Sequence, residues 1–180
     1  LEMNPDDPMA YAALGYVYRF IGDESRAIGN LERAVELNPN SALTRLQLAH
    51  TLDWFRKQER ALPEIEKAIR LSPRDPLLQN MLFYKAHILY HLQRYEESLE
   101  AAQLMGAVVS SGPWEIFYHF MRAAALAELG RETEARAAIE AARSLNPRLT
   151  LTAMKARFDR SKNHPKNRAL WLASLKKAGL

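Results

Sequence analysis

The sequence predicts an all-α protein, a right-handed α-solenoid of stacked helical hairpins. The first observation is a repeat: Asn4-Pro5, Asn38-Pro39 and Ser72-Pro73 each follow a Leu or Met, and their prolines are 34 residues apart. The second is that apolar residues recur at helical spacing between these prolines. The third is that 48% of residues are apolar, which is enough for a continuous core. A fixed period of this size is typical of repeat proteins, in which each unit packs on its neighbours.

The first unit is predicted over residues 8–41. Asp7 can cap a helix whose first position holds Pro8. Gly22-Asp23 then interrupts the apolar spacing, and a second helix follows it. That helix ends at Asn38-Pro39, because the residue before a proline disfavours helical backbone. Residues 1–7 have the form of the end of a preceding repeat, so we expect the chain to be the C-terminal part of a longer array.

Three further units follow, over residues 42–75, 76–112 and 113–147. The last two are longer than the first, because equivalent positions such as Ala61, Ser98 and Ala135 are 37 residues apart. We expect the added residues in the third unit to lengthen the helix that opens at Asp75-Pro76.

Residues 148–180 no longer fit the repeat and predict a pair of C-terminal capping helices. The apolar residues expected to carry the final helix are Ala169, Leu170, Leu172, Ala173 and Leu175. A terminal repeat needs such a cap with a polar outer surface.

The pattern resembles the tetratricopeptide repeat (TPR). In the first unit it is carried by Tyr11, Leu14, Gly15, Tyr18, Gly22, Ala27, Leu31, Ala34 and Pro39. In the second unit it is carried by Arg45, Leu48, Ala49, Leu52, Ala61, Ile65, Ala68 and Pro73. The tail phrases Leu145–Leu151 and Leu175–Leu180 are also similar to the C-terminal TPR region of bacterial class III adenylate/guanylate cyclases and related multidomain regulators. That second resemblance implies a regulatory or scaffolding role in a bacterial signalling protein.

The TPR resemblance implies a protein-binding groove lined by the first helix of each hairpin. Carrying the groove positions across gives an aromatic and histidine-rich set, which suits protein recognition because aromatic rings supply large contact areas. The set consists of Tyr16, Arg19, Phe20, His50, Asp53, Trp54, Phe83, Tyr84, His87, Tyr90, His91, Phe117 and Phe120. The partner would be a peptide or a helix, and an exposed repeat end also permits self-association. The alternative is that several of these residues pack between repeats or cover the cap.

Charge is distributed unevenly along the chain. Residues 1–142 hold 15 basic and 20 acidic residues, whereas residues 143–180 hold ten basic residues and one acidic residue. This asymmetry permits a nucleic-acid-associated module or contact with anionic lipid, and it equally suits a solvated cap. The loop with Lys162, His164, Lys166 and Arg168 has no interleaved aromatic residues for base stacking, which disfavours nucleic acid. A small ligand in the aromatic groove is a further alternative.

The sequence offers no catalytic motif. It has no Gly-rich phosphate loop and no Gly-x-Ser-x-Gly element, and the acidic pairs Glu96-Glu97 and Glu132/Glu134 suit helix starts. His87 and His91, with His50 and Asp53, have a spacing that permits zinc, although ordinary groove histidines explain it as well. We therefore expect no enzyme activity, no cofactor and no metal.

Targeting signals are not visible. The chain has no cysteine and no apolar run of about 18 residues that would span a membrane. A basic segment followed by an apolar stretch is also missing from the first residues, so no signal peptide is expected. These observations predict a cytoplasmic protein without a membrane partner.

Overall fold

The computed structural model describes residues 7–109, 112–160 and 165–180, and these residues form ten α-helices without a strand. The helices are α1 (Pro8–Ile21), α2 (Glu24–Leu37), α3 (Ala42–Trp54), α4 (Gln58–Leu71), α5 (Leu78–His91), α6 (Tyr95–Val108), α7 (Pro113–Glu128), α8 (Glu132–Leu145), α9 (Leu151–Arg160) and α10 (Pro165–Lys177). The predicted all-α fold of helical hairpins is confirmed. The predicted end of a preceding repeat, residues 1–7, lies outside the described residues except for Asp7.

The helices group into two compact units. Unit 1 comprises residues 1–75, in which α1 packs on α2, α3 packs on α4, and α3 also contacts α1 and α2. Unit 2 comprises residues 76–180, in which α5 packs on α6 and α7 packs on α8. Within unit 2, α7 also packs on α5, α6 and α10, and α10 contacts α9.

Capping residues set where the two helices of the first hairpin begin. The Asp7 carboxylate accepts a hydrogen bond from the Met9 amide at 2.8 Å, and the Asp23 carboxylate accepts one from the Arg26 amide at 3.0 Å. These bonds satisfy amide groups that the start of a helix leaves without partners. Between the two helices, Gly22 adopts φ 89°, a left-handed conformation that glycine reaches without strain.

The left-handed residue recurs in every hairpin, but it is not always glycine. Arg56 has φ 62° and Gln93 has φ 61°, and Gly130 has φ 74°. Gly22 and Arg56 are 34 residues apart, and each later position follows the previous one by 37 residues, which is also the spacing of the repeats. Two hairpins therefore carry a strained turn residue that the sequence pattern did not reveal.

The longer period of the later units has two sources. The segment between α4 and α5 spans residues 72–77, whereas the one between α2 and α3 spans residues 38–41. By contrast, α7 has 16 residues where α3 has 13. The lengthened helix expected in the third unit is therefore mostly wrong, because most of the added residues lie before α5; in the fourth hairpin it is α7 that is longer.

Small residues allow the two helices of a hairpin to approach closely. Ala27, Ala61, Ala86 and Ala123 are fully buried. At Gly15, a Cβ atom would lie 2.6 Å from Leu31 Cγ and 3.0 Å from the Ala27 carbonyl oxygen. A larger side chain there would push α1 away from α2.

Arg45 occupies a buried position on α3 where the repeat pattern usually has an apolar residue. Its Nη1 atom donates to Glu64 Oε2 at 2.5 Å, and its Nε atom donates to the Pro39 carbonyl oxygen at 2.9 Å. A buried charge is tolerated only when it is paired and hydrogen-bonded in this way. Arg45 thereby ties α3 to α4 and to the turn that precedes α3.

Candidate functional site

A cluster of aromatic side chains lies on the first helices of unit 1. We call it the α1/α3 face and define it by Tyr16, Arg19 and Phe20 of α1 and by His50 and Trp54 of α3. The Arg19 guanidinium carbon lies 4.7 Å from the Tyr16 ring centroid, 5.3 Å from that of Phe20 and 5.7 Å from that of Trp54. At such distances the ring faces attract the cation. Arg19 thus sits at the centre of the cluster.

A hydrogen bond fixes the guanidinium against α3. Arg19 Nη1 lies 2.8 Å from His50 Nδ1. Because arginine only donates, Nδ1 must accept, which places the proton of a neutral His50 on Nε2. The His50 ring also meets the Trp54 ring edge-on, with their centroids 6.2 Å apart. The two helices therefore hold one another's side chains in place.

The outermost rings of this face are exposed. Tyr16 and Phe20 retain 47% and 46% of their surface in contact with solvent, although Arg19 beneath them retains only 4%. Their ring centroids are 4.9 Å apart, so they form one tilted pair. A fixed, solvent-exposed aromatic pair on a buried cation is a surface ready for contact with another molecule.

An apolar hollow of about 360 Å³ lies towards the N-terminal ends of the same two helices. Ala12 and Ala13 contribute to it from α1, and Leu43 and Gln47 from α3. Ala12 precedes Tyr16 by four residues on the same helix, so the hollow continues the α1/α3 face by about one helical turn.

Asp53, the remaining predicted groove residue of unit 1, is buried. Gln58 at the start of α4 approaches its carboxylate, with Nε2 and Oδ1 3.4 Å apart. The Asp53 side chain is therefore not accessible to a partner.

The corresponding helices of unit 2 carry a second aromatic cluster, which we call the α5/α7 face. Phe83 is at its centre, with ring centroids 5.2 Å from Tyr84, 5.5 Å from Phe117 and 5.6 Å from Trp114. The His87 ring stacks on Phe83 at 5.8 Å. All of these side chains keep part of their surface exposed.

Helix α10 covers the other end of the α5/α7 face. The Trp171 ring meets His87 and Phe120 edge-on, with centroids 5.8 and 6.2 Å away. Phe120 retains 1% of its surface and Tyr90 none. Two of the predicted groove residues, Tyr90 and Phe120, thus lie beneath α10. This matches the alternative, stated from the sequence, that some groove residues cover the cap.

A chain of hydrogen bonds joins α5 to α10 and α7. The Tyr90 hydroxyl lies 2.5 Å from Ser174 Oγ, and Ser174 Oγ donates to a Glu128 carboxylate oxygen. The single proton of Ser174 is used on Glu128, so Tyr90 must donate to Ser174. Burial, reinforced by the charge of Glu128, raises the pKa of Tyr90 well above its ordinary value of 10.0 and keeps this donor protonated.

The sequence did not identify Trp171, Ser174 or Glu128. It named Leu170 and Ala173 as apolar residues of the last helix, but Leu170 is more than one-third exposed and Ala173 is exposed. The buried stripe consists of Trp171, Ser174 and Leu175 of α10 and of Ala178 directly after it, and of these the sequence had named only Leu175. A serine in that stripe conceals its apolar character.

His87 and His91 form a close pair, with their Nε2 atoms 3.3 Å apart. Within residues 7–109, 112–160 and 165–180, no group of three or more His, Asp or Glu side chains is placed to hold a metal ion. Of the predicted basic loop, Lys162 and His164 lie outside the part of the chain that the structure describes.

None of the helices in the described ranges is both long and apolar enough to cross a membrane.

Hairpins closed by small residues, with aromatic side chains on their first helices, define a tetratricopeptide repeat protein. A family model agrees: the chain belongs to the Iml2/Tetratricopeptide repeat protein 39 family, whose model matches residues 11–168. The predicted TPR identity is thus confirmed, and the chain has the fold of a protein–protein interaction module. The narrower similarity to cyclase tails stays a prediction.

Solved structures share the fold at low sequence identity. YrrB, described as a TPR protein with an unusual peptide-binding site, is 18% identical with a TM-score of 0.67, covering 97% of this chain and 86% of YrrB. MamA from Desulfovibrio magneticus RS-1 is 15% identical with a TM-score of 0.71, covering 98% of each chain. PilF of Pseudomonas aeruginosa is 20% identical with a TM-score of 0.69, covering 96% of this chain and 77% of PilF. No curated protein sequence matches.

Proposed function

We propose that unit 1 binds a peptide or helical segment of another protein at the α1/α3 face. The observation that carries this proposal is the half-exposed pair Tyr16 and Phe20, held on the buried Arg19. Exposed aromatic side chains on a rigid base are typical of the residues that dominate binding energy in protein interfaces. The peptide-binding site ascribed to YrrB, which shares the fold, is consistent with this use of a TPR surface.

The geometry favours an extended segment that places one apolar side chain beside the ring pair and another in the hollow. Because the helices already hold the rings, little side-chain freedom is lost when a partner binds. The hollow has the size of a small-ligand site as well, and a metabolite bound there is an outcome that the test below must separate from a peptide.

The wider context is also part of the proposal. The tail phrases Leu145–Leu151 and Leu175–Leu180 support a role as the C-terminal regulatory or scaffolding part of a bacterial cytoplasmic signalling protein. In that arrangement residues 8–147 form four repeats and residues 148–180 cap them. The coding sequence upstream of Leu1 tests this, because it should encode further repeats and a signalling domain.

Selection from a random peptide library on the full chain tests the binding site. We expect the selected peptides to bind the unmodified protein and to lose at least about tenfold in affinity with Phe20→Ala, since the ring supplies much of the contact. Leu104→Ala is the control, because Leu104 is an exposed apolar residue on α6. A thermal-shift screen of metabolites covers the small-ligand outcome.

Peptides that bind equally well to the Phe20→Ala and Leu104→Ala variants would place the binding surface elsewhere and refute the proposal. A metabolite that raises the melting temperature of the unmodified protein but not of Phe20→Ala would assign the α1/α3 face to a small ligand instead.

A further inference from the structure

One stripe of α10 is buried in unit 2. Trp171, Ser174 and Leu175 of α10 and Ala178 directly after its end are spaced as one face of a helix, and all four have almost no solvent exposure. The other side of the helix is exposed at Ala173 and Lys176. Helix α10 is thus an amphipathic helix lying with one face on its neighbours.

The contact between α10 and the α5/α7 face is polar at its centre. Besides the Tyr90–Ser174–Glu128 chain, Lys177 Nζ lies 3.5 Å from Glu128 Oε2. Beyond it, Arg143 of α8 donates to the Gly179 carbonyl oxygen at 3.2 Å. The contact therefore combines an aromatic ring, a chain of hydrogen bonds and an ion pair, each of which depends on a particular residue type in α10.

The hairpins beneath α10 have cores of their own. Small and aliphatic residues of these helix pairs are fully or almost fully buried, among them Ala86, Leu89, Leu99, Ala123, Leu126 and Ile139. These side chains lie on helix pairs that pack directly on each other. The α5/α7 face is therefore built by its hairpins, and α10 rests upon it.

We propose that the α5/α7 face is a second helix-binding site and that α10 is its internal ligand, which an incoming partner helix displaces. This inference goes beyond the proposed function, because it concerns unit 2 and a different set of residues. The partner is an amphipathic helix with the chemistry that α10 displays.

The contacts specify that chemistry position by position. An aromatic residue enters between His87 and Phe120, as Trp171 does. A hydroxyl residue three positions later joins Tyr90 to Glu128. A leucine follows directly, and a basic residue six positions after the aromatic pairs with the Glu128 carboxylate. The expected pattern is Trp-x-x-Ser-Leu-x-Lys.

A tethered helix has the advantage over a free one. The effective concentration of an attached segment is in the millimolar range, so a free helix of the same sequence competes poorly until the attached one is weakened. Loss of the Trp171 side chain weakens α10 but leaves every side chain of the α5/α7 face in place.

The experiment uses the full chain and a fluorescent synthetic peptide of residues 165–180, with affinity measured by anisotropy. We expect Trp171→Ala to bind the peptide at least about tenfold more tightly than the unmodified protein. Adding Glu128→Lys should abolish this binding, and a peptide with Lys177→Glu should restore it. Phe20→Ala should leave it unchanged, which separates this site from the α1/α3 face.

If Trp171→Ala keeps its helical circular dichroism and still fails to bind the peptide, α10 is a fixed part of the fold and the inference is wrong. Should that variant lose its helical signal, hydrogen exchange of the unmodified chain decides. Exchange of α10 amides faster than those of α7 supports displacement, and exchange of both helices in a single step overturns it.

Discussion

The two first-helix faces of this protein are made from the same kinds of residues and end in different states. On the α1/α3 face, Arg19 lies beneath the rings and leaves Tyr16 and Phe20 half exposed. On the α5/α7 face, α10 lies above the rings and buries Tyr90 and Phe120. The difference shows that aromatic residues at groove positions do not by themselves define an open site. What occupies the space around them decides whether they bind a partner or stabilise the chain.

The largest difference between the two faces is expected from a matched pair of phenylalanine truncations. Phe120→Ala should cost about 3 kcal/mol of unfolding free energy, because the ring is buried against Trp171. Phe20→Ala should cost less than about 1 kcal/mol, since its ring is half exposed. Urea denaturation followed by circular dichroism measures both. Equal losses in the two variants would show that the faces do not differ as described.

Alanine at two closely packed glycines, one in each unit, should have the next largest effect on stability. Gly15→Ala should destabilise by about 1–3 kcal/mol, because the new Cβ would lie 2.6 Å from Leu31 Cγ. Gly106→Ala should destabilise less than Gly15→Ala, because its new methyl carbon would lie 2.5 Å from Tyr118 Cε2, at the outer end of a half-buried ring that can turn away. Gly29→Ala is the control: nothing lies within 4 Å of its Cβ, so the gain in helix propensity should stabilise by up to about 1 kcal/mol. Unchanged stability in the first two variants would contradict the close packing.

Glycine in place of the left-handed turn residue should raise stability in both units. Arg56→Gly and Gln93→Gly relieve left-handed strain at φ 62° and φ 61°, and each should stabilise by about 0.5–1 kcal/mol. Gln103→Gly is the control, because the same exchange within α6 should destabilise by about 1 kcal/mol. Denaturation midpoints of the three variants give the answer. A loss of stability at Arg56 or Gln93 would mean that these side chains contribute more than their backbone strain costs.

The smallest effect is expected from pH. Burial, and then the charge of Arg122, lowers the pKa of His119 on α7 below its ordinary value of 6.5, while Glu115 opposes this. Below pH 6.5 the unfolded chain therefore binds a proton that the folded chain resists, and unfolding free energy falls as the pH falls. His119→Gln should make this loss shallower in urea titrations at about pH 7.5 and about pH 5.5. An identical pH dependence in both proteins would exclude His119 as a contributor.

The hairpins could be predicted from the sequence because their signals are local. Asp7 with Pro8, and Gly22 with Asp23, act within a few residues, and the period of the prolines repeats them along the chain. The turns at Arg56 and Gln93 could not be predicted from the sequence. Neither residue favours a left-handed backbone, and only the surrounding packing holds it in that conformation.

The state of each face could not be predicted in the same way. Trp171 lies 84 residues after His87 in the chain, and nothing near either residue encodes their contact. The position of Arg19 beneath its rings likewise depends on His50, which is 31 residues away. Repeat spacing indicated which side chains share a face, but not what would cover it.

The contact between Gly106 and Tyr118 has a consequence for rebuilding the molecule. The Tyr118 ring of α7 occupies the place where any side chain on residue 106 of α6 would begin. A hairpin transplanted in place of α7 and α8 without a tyrosine there would leave this space unfilled, and one moved in place of α5 and α6 with any residue but glycine would displace the Tyr118 ring. The hairpins α5–α6 and α7–α8 are therefore not interchangeable, because glycine at 106 and tyrosine at 118 are matched to each other.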